Sequence, residues 1–419
     1  MSRPKSPPWR MVDEAEEVGY ALRVAAVALL LGVVGLSVAL GEEVRWLRAA
    51  RNPDPNRADL ESAAGGYYVA LIDGGGDHDG DSRPGPGGGL NDALVGRPAG
   101  WLRFPEAGVS RHMPQDFRQH VLIPNLKREL YSASFSTNSR GLRDREYALE
   151  KPPGVFRIVL MGASIDMGWG VPDALTYENR LEDWLNHVAR RERLGRRFEV
   201  INFSVAAYSP AQRVDTLGDD ALRYDPDLVL LVGTTLDPRL TEIHLRSLVR
   251  HGADLRSAAI REAITRLGIS SDEEKGGPAA RRDLERRSIK SEFKRQAALV
   301  IWEIIEGSLA EARTLCDKHG VPLVLVLIPR VGAADAPRTR RQTEAAYLER
   351  AAKLGLTVIN LLDTFDGRGR SSLEIAPWDD HPNALGHELL FIALAQTIER
   401  DPRLCSLVLG PAYRPRPPR

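Results

Sequence analysis

Cysteine is almost missing from this chain. Cys316 and Cys405 are the two among 419 residues, and they lie too far apart to form a disulfide framework. Cys316 falls in a helical pattern, where a thiol reads as a small core hydrophobe. No CxxC or HExxH occurs, so a structural zinc or a zincin centre has no support. An excess of one charge is missing too. The 57 Lys and Arg balance the 57 Asp and Glu, and no basic stripe is interleaved with aromatics, so nothing favours a nucleic-acid partner. Neither a metal nor an organic cofactor is called for.

A long apolar stretch is present. Val24 to Leu40 carries no charge, and Tyr20 to Leu22 extend it beyond Arg23, which can snorkel to an interface. About 20 helical residues cross a bilayer core of roughly 30 Å. We therefore expect an N-terminal tail over 1–19 and a single transmembrane helix over 20–41. Asp13, Glu14, Glu16 and Glu17 ahead of the run argue against a cleaved signal peptide. Four basic residues on each side (Arg3, Lys5, Arg10 and Arg23; Arg45, Arg48, Arg51 and Arg57) leave the positive-inside count tied.

Residues 42–100 read as a linker. Asp73 to Asp92 is almost entirely Gly, Asp, Pro and Ser, a composition that buries too little apolar surface to order itself. Asp77, Asp79 and Asp81 alternate like a calcium loop. Ser82 and Gly88 stand where such a loop needs glycine and glutamate, and the match fails. Residues 101–153 suggest a small β-containing segment, within which Thr137, Asn138, Gly141 and Arg143 form a TNxxGxR pattern of unassigned role. Lys151 to Gly154 punctuate the chain before the main domain, expected over 154–404.

From there strands and helices alternate as a parallel sheet requires. Strands are expected at Phe156–Met161, Phe198–Val205, Leu228–Gly233, Val321–Ile328 and Leu356–Leu361. Helices are expected at Thr176–Leu194, Pro210–Leu222 and Glu344–Leu354. The gap between the third and fourth strands is long. It reads as a helical insertion over about 240–319, broken at Ser270 to Pro278, that forms a cap near the strand ends or a partner surface. Residues 405–419 read as a Pro/Arg-rich tail.

Four blocks fall at strand ends, where open α/β sheets bind their ligands. Ser164 follows the buried strand of FRIVLMGAS and is the candidate nucleophile. Asn202 to Tyr208 reads NFSVAAY, Gly233 to Asp237 reads GTTLD, and Asp379 to His387 reads DDHPNALGH on a loop before the last helix, capped by Asn383. A serine nucleophile requires a base in reach and a third group to fix the imidazole tautomer, and one loop here carries both an acid and a histidine. An elbow of GxSxG type is disfavoured, because Asp166 stands where that turn needs glycine.

Together the blocks, in their order from Phe156 to Arg400, resemble the SGNH or GDSL hydrolase family. The resemblance implies a three-layer α/β sandwich around a five-stranded parallel sheet, with Ser164 as nucleophile and His381 as base. It places the acid at Asp379, with Asp380 as the alternative. The oxyanion donors would be the N–H groups of Ser164 and Ala207 and the Thr235 hydroxyl, where the family has glycine and asparagine at the last two positions. Ala163 replaces the family aspartate. The implied function is a membrane-anchored, extracytoplasmic serine esterase or O-acyltransferase acting on acyl esters of envelope carbohydrate or lipid. A second reading, a domain of the same build that binds glycan or protein without turnover, rests on Ala163 and Thr235.

Overall fold

The computed structural model describes residues 101–131, 133–267, 291–331 and 337–414. The expected transmembrane helix over 20–41, the linker over 42–100, the break at Ser270 to Pro278 and residues 415–419 lie outside them. Among the described residues no helix is long and apolar enough to cross a membrane.

Two antiparallel hairpins come first, β1 (Ser110–Met113) with β2 (Gln119–Leu122) and β3 (Lys127–Leu130) with β4 (Ala133–Ser136). The alternating part follows as β5 (Val155–Met161), α1 (Ser164–Met167), α2 (Tyr177–Glu192), β6 (Arg197–Asn202), α3 (Pro210–Asp219) and β7 (Leu228–Gly233). After it come α4 (Asp237–His251), α5 (Ala258–Arg266), α6 (Ser291–His319), β8 (Leu323–Leu327), α7 (Pro337–Lys353) and β9 (Thr357–Asn360). The chain closes with α8 (Arg370–Leu373), β10 (Glu374–Ala376), β11 (Asp379–Pro382), α9 (Ala384–Arg400) and α10 (Pro402–Leu409).

Five strands form one sheet in the order β6-β5-β7-β8-β9, every pair parallel. Side chains alternate across a strand, so a sheet buried on both faces reads as a continuous apolar run. Ile158, Leu160, Leu228, Leu230, Val324 and Val326 pack on one face with Leu181, Leu185, Leu390 and Leu394 of α2 and α9. Val159, Met161, Val229, Leu231, Leu325 and Leu327 pack on the other with Val214, Leu217 and Leu309. The result is a three-layer α/β sandwich.

One expectation is corrected by this packing. Helix α6 is not part of an insertion: Ile301, Ile305, Leu309, Ala312 and Cys316 lie in the core against the sheet. Parallel strands need a crossover, and α6 is the return from β7 to β8. The added part is α4 and α5, whose Leu245, Leu248, Ile260 and Ile264 form a separate cluster with Phe117, Val300 and Ile304. The expected tail is corrected as well. Cys405, Val408, Leu409 and Tyr413 are buried in the main core, and the Tyr413 hydroxyl donates to Glu399 at 2.5 Å, so the domain continues past residue 404.

Strand β6 lies at the edge of the sheet, yet its outward groups are satisfied. Asn186 of α2 accepts from Phe198 N–H and donates to its carbonyl, each at 2.9 Å. Glu182 accepts from Val200 N–H at 2.8 Å, and Asp144 accepts from Asn202 N–H at 2.7 Å. These side chains cover a backbone that would otherwise be open to pairing.

Arg157 is buried within the apolar run of β5. Its guanidinium donates to Glu199 at 2.8 Å and to the carbonyls of Tyr224, Leu149 and Ala148 at 2.8, 3.0 and 2.6 Å. It thereby ties the segment before the domain to two strands. Arg157→Met takes this donor from three carbonyls and leaves Glu199 with Arg197 alone, and is expected to lower unfolding free energy by about 3 kcal/mol in a urea titration.

Candidate active site

Strand β5 ends at Met161, and the chain turns at once through Gly162 and Ala163 into the short helix α1. The turn is held by Asp166, whose buried carboxylate accepts from Ala163 N–H at 2.7 Å and from the Tyr177 hydroxyl at 2.7 Å. Burial pushes this carboxyl up from its ordinary value, against the pull of both donors. A Cβ at position 162 would overlap the Asp166 carboxylate, so glycine is the residue that fits there. Ser164 sits on this turn with 6 % of its surface exposed.

Asp379 and His381 come from β11, which pairs antiparallel with β10. The loop expected here is therefore a short hairpin, a correction with a structural consequence. The pairing is irregular between Asp379 and Pro382, and there the His381 N–H donates to Asp379 Oδ1 at 3.2 Å, which holds the acid against its own ring. The His381 Nδ1–H donates to Asp379 Oδ1 at 2.5 Å, and the Ser164 hydroxyl donates to Nε2 at 2.8 Å. Asp380, the alternative acid, is held instead by Arg330 at 2.8 Å.

Charge in this chain of bonds is set by its neighbours. Burial works against the imidazolium, but the Asp379 carboxylate, its hydrogen bond and Asp380 together raise the pKa of His381 above its ordinary value. Burial likewise works against the Asp379 carboxylate, and His381 with a hydrogen bond from Trp169 holds its pKa below the usual range. Asp379, Asp380 and His381 are close enough in space to offer donors to a cation. His381 spends both ring nitrogens on Asp379 and Ser164, and Asp380 Oδ2 accepts from Arg330.

The two remaining blocks leave the strands on either side of β5. After β6, Val205 to Tyr208 forms a tight turn closed by Tyr208 N–H to the Val205 carbonyl at 3.2 Å. Ala207 adopts φ +63° there, the left-handed conformation that costs alanine about 1–2 kcal/mol. The N–H groups of Ser164 and Ala207 donate to no acceptor among the described residues. After β7, the Thr235 hydroxyl is shielded from solvent and has no hydrogen-bond partner among the described residues. Buried polar groups are normally paired, and these three donors stand after the carboxyl ends of three neighbouring strands, β6, β5 and β7.

Other contributors stand outside the four blocks. Arg143, of the TNxxGxR pattern, is buried and donates to the carbonyls of Met167, Gly168 and Val171 and to Asp173. Thr137 and Asn138 shape the turn that delivers it: Thr137 donates to Ile123, and the Asn138 side chain accepts from the N–H groups of Arg140 and Leu142. The pattern thus fixes the loop that follows the serine. Arg213 and Asp237 form a fully buried pair at 2.6 Å. Arg213 also donates to the carbonyls of Tyr208 and Val232, and Asp237 accepts from Thr234 N–H and the Tyr347 hydroxyl. One network therefore anchors the loops after β6 and β7. Asp237 was visible in GTTLD, but no spacing pairs it with Arg213.

An aromatic array borders the acid. Trp169 meets Phe104 and Tyr131 edge to face at 5.5 and 5.7 Å, and Trp101 stacks on Tyr131 at 3.7 Å. Trp378, next to Asp379, meets Trp101 at 5.6 Å, and its buried indole N–H has no partner among the described residues.

The model of the GDSL-like lipase/acylhydrolase family matches residues 160–389, more than half of the chain. This chain belongs to that family. The GDSL domain is similar to solved structures of an acetylxylan esterase from Geobacillus stearothermophilus, at 12 % identity and TM-score 0.37, covering 58 % of this chain and 94 % of that one. It is also similar to a lipase/acylhydrolase from Enterococcus faecalis, at 16 % identity and TM-score 0.34, covering 58 % and 95 %. A two-domain esterase active on acetylated mannans matches at 14 % identity and TM-score 0.33 over 63 % of this chain; the match spans 52 % of that longer protein. A comparison with curated protein sequences gives no match.

Within the GDSL domain, glycine at position 207 would adopt φ +63° without strain. Ala207→Gly is expected to stabilise the fold by about 0.5–1 kcal/mol, the left-handed penalty less the entropy glycine adds to the unfolded chain, read as a raised melting temperature.

Proposed function

We propose that this chain is a serine ester hydrolase of the GDSL family in which Ser164, His381 and Asp379 carry the chemistry. The observation that supports it is the continuous hydrogen-bond chain from hydroxyl through imidazole to carboxylate. Ser164 Oγ attacks the ester carbonyl while His381 Nε2 takes its proton. Asp379 fixes the tautomer by accepting from Nδ1–H and stabilises the imidazolium that forms. The N–H groups of Ser164 and Ala207, with the Thr235 hydroxyl, receive the oxyanion. His381 then returns the proton to the leaving alcohol, and a water or an acceptor hydroxyl, activated by the same ring, cleaves the acyl-enzyme.

The substrate class we propose is an acyl ester carried on carbohydrate. Sugars offer C–H faces that pack on aromatic rings, and Trp101, Tyr131 and Trp378 form a contiguous aromatic group next to Asp379. The run from Val24 to Leu40 supports a membrane tether.

A fluorophosphonate is expected to label the full-length protein at Ser164, and the protein is expected to hydrolyse p-nitrophenyl acetate. Ser164→Ala, folded as judged by circular dichroism, should lose both; labelling of the Ala variant at an equal rate contradicts the assignment. Acetylated against deacetylated oligosaccharides then test the substrate class by release of acetate.

Catalysis needs His381 uncharged, and its neighbours raise its pKa, so kcat/KM should rise with pH to a midpoint above the ordinary imidazole value of about 6.5. Asp379→Asn removes the main raising influence. It should move that midpoint down and lower kcat by up to about 10⁴-fold. An unshifted midpoint in the variant would place the titrating base elsewhere.

A further inference from the structure

We infer that His120 is a positioning residue for the oxyanion-binding peptide: its Nε2–H grips the Ala206 carbonyl and so aims the N–H of Ala207, on the reading of the site proposed above. His120 lies on β2 of the first hairpin, outside the span of the family match.

The turn from Val205 to Tyr208 has two ways of closing. With φ positive at the third residue it is of type II, and with that φ negative it is of type I. The two differ by a flip of the central peptide, here the plane that joins Ala206 to Ala207. A trans peptide is rigid, with C=O and N–H pointing in opposite directions, so the flip exchanges one for the other. Glycine accepts either form. Alanine prefers the negative φ, so the turn's own residues favour turning the Ala207 N–H away. The structure nonetheless shows φ +63° at Ala207.

His120 supplies the opposing force. Its Nε2 lies 2.8 Å from the Ala206 carbonyl oxygen. That oxygen only accepts, so Nε2 carries the proton and the tautomer is settled by chemistry. The flip would break this bond and leave a buried carbonyl and a buried N–H unpaired. The same residue holds the far side of the turn, because the Tyr208 hydroxyl donates to the His120 carbonyl at 2.7 Å. Tyr208 and Phe104 pack edge to face on the ring at 5.2 and 5.9 Å, which restricts its rotation. Burial drives the ring's pKa down to about 4, although the Ala206 bond pulls the other way. It therefore remains a neutral donor across the range in which His381 titrates.

The test compares full-length wild type, His120→Leu, His120→Gln and Ser164→Ala. Gln presents an amide N–H near the reach of Nε2, and Leu presents none. His120→Leu is expected to lower kcat and the rate of fluorophosphonate labelling by about 10²-fold, as for a lost oxyanion donor. KM should stay within about threefold of wild type, because the hole binds the transition state rather than the substrate. The pH midpoint set by His381 should not move, and His120→Gln should recover most of the rate. Equal kcat in wild type and His120→Leu overturns the inference. So does an equal loss in the Leu and Gln variants at wild-type melting temperature, which would mean the ring's shape matters and its N–H does not. Where His120→Leu does not fold, Tyr208→Phe decides, since it removes only the hydroxyl on the His120 carbonyl: a fall in kcat of about fivefold supports the clamp, and none overturns it. A wild-type protein whose Ser164 resists the fluorophosphonate fails the esterase reading, and the His120 assignment falls with it. A labelled wild type with an equally labelled His120→Leu overturns the assignment alone.

Discussion

The hydrogen bond from Ser164 to the His381 ring joins residues 217 apart in the chain, and it closes because two rigid pieces end at the same edge of the sheet. One is the carboxyl end of β5, stopped by a turn that Asp166 locks from behind. The other is the β10–β11 hairpin, which presents Asp379 and His381 bonded to each other. Neither piece needs to be ordered by a ligand, so the entropy of aligning serine, imidazole and carboxylate is met in folding rather than in binding. The parallel sheet makes this possible, since every helix crossover returns the next strand end to that edge.

Around this bond the molecule carries costs that other contacts offset. Ala207 is held in a conformation that alanine disfavours, and bonds to both of its chain neighbours keep it there. Arg213 and Asp237 are buried charges, paired with each other and with four further partners, and they tie the loops flanking β5 to one another. Replacing such a network by hydrocarbon often does no harm to stability, so its presence here is better understood as fixing loop geometry than as holding the fold. Arg143 does the same for the segment after Ser164. The polar interior is concentrated where backbone direction matters.

Much of the architecture was legible. Continuous runs of β-branched and aliphatic residues located all five strands of the sheet within a few residues, because a strand buried on both faces has no polar side to interrupt it. Asn383 named its own helix start, and its side chain accepts from Leu385 and Gly386 N–H. Helix α6 was misread as insertion because its apolar face is spread along a helix with little periodic contrast, and which layer it joins depends on the sheet. The β10–β11 hairpin was missed for a similar reason: DDHP has no alternation of apolar and polar residues. TNxxGxR showed turn chemistry in Asn138 and Gly141, but the targets of Arg143 are carbonyls, which every residue carries.

By itself the sequence determined what local chemistry determines: the strands, the glycine at 162 beside a serine, and the acid and histidine two residues apart near the end of the domain. Tertiary structure decided the rest. It set Asp379 against the His381 ring and gave Asp380 to Arg330, placed Ala207 at positive φ, and brought His120 from a separate hairpin onto the peptide that precedes Ala207. These outcomes depend on distances between segments far apart in the chain, and a carbonyl or an amide N–H leaves no mark in the sequence to say which partner it will meet.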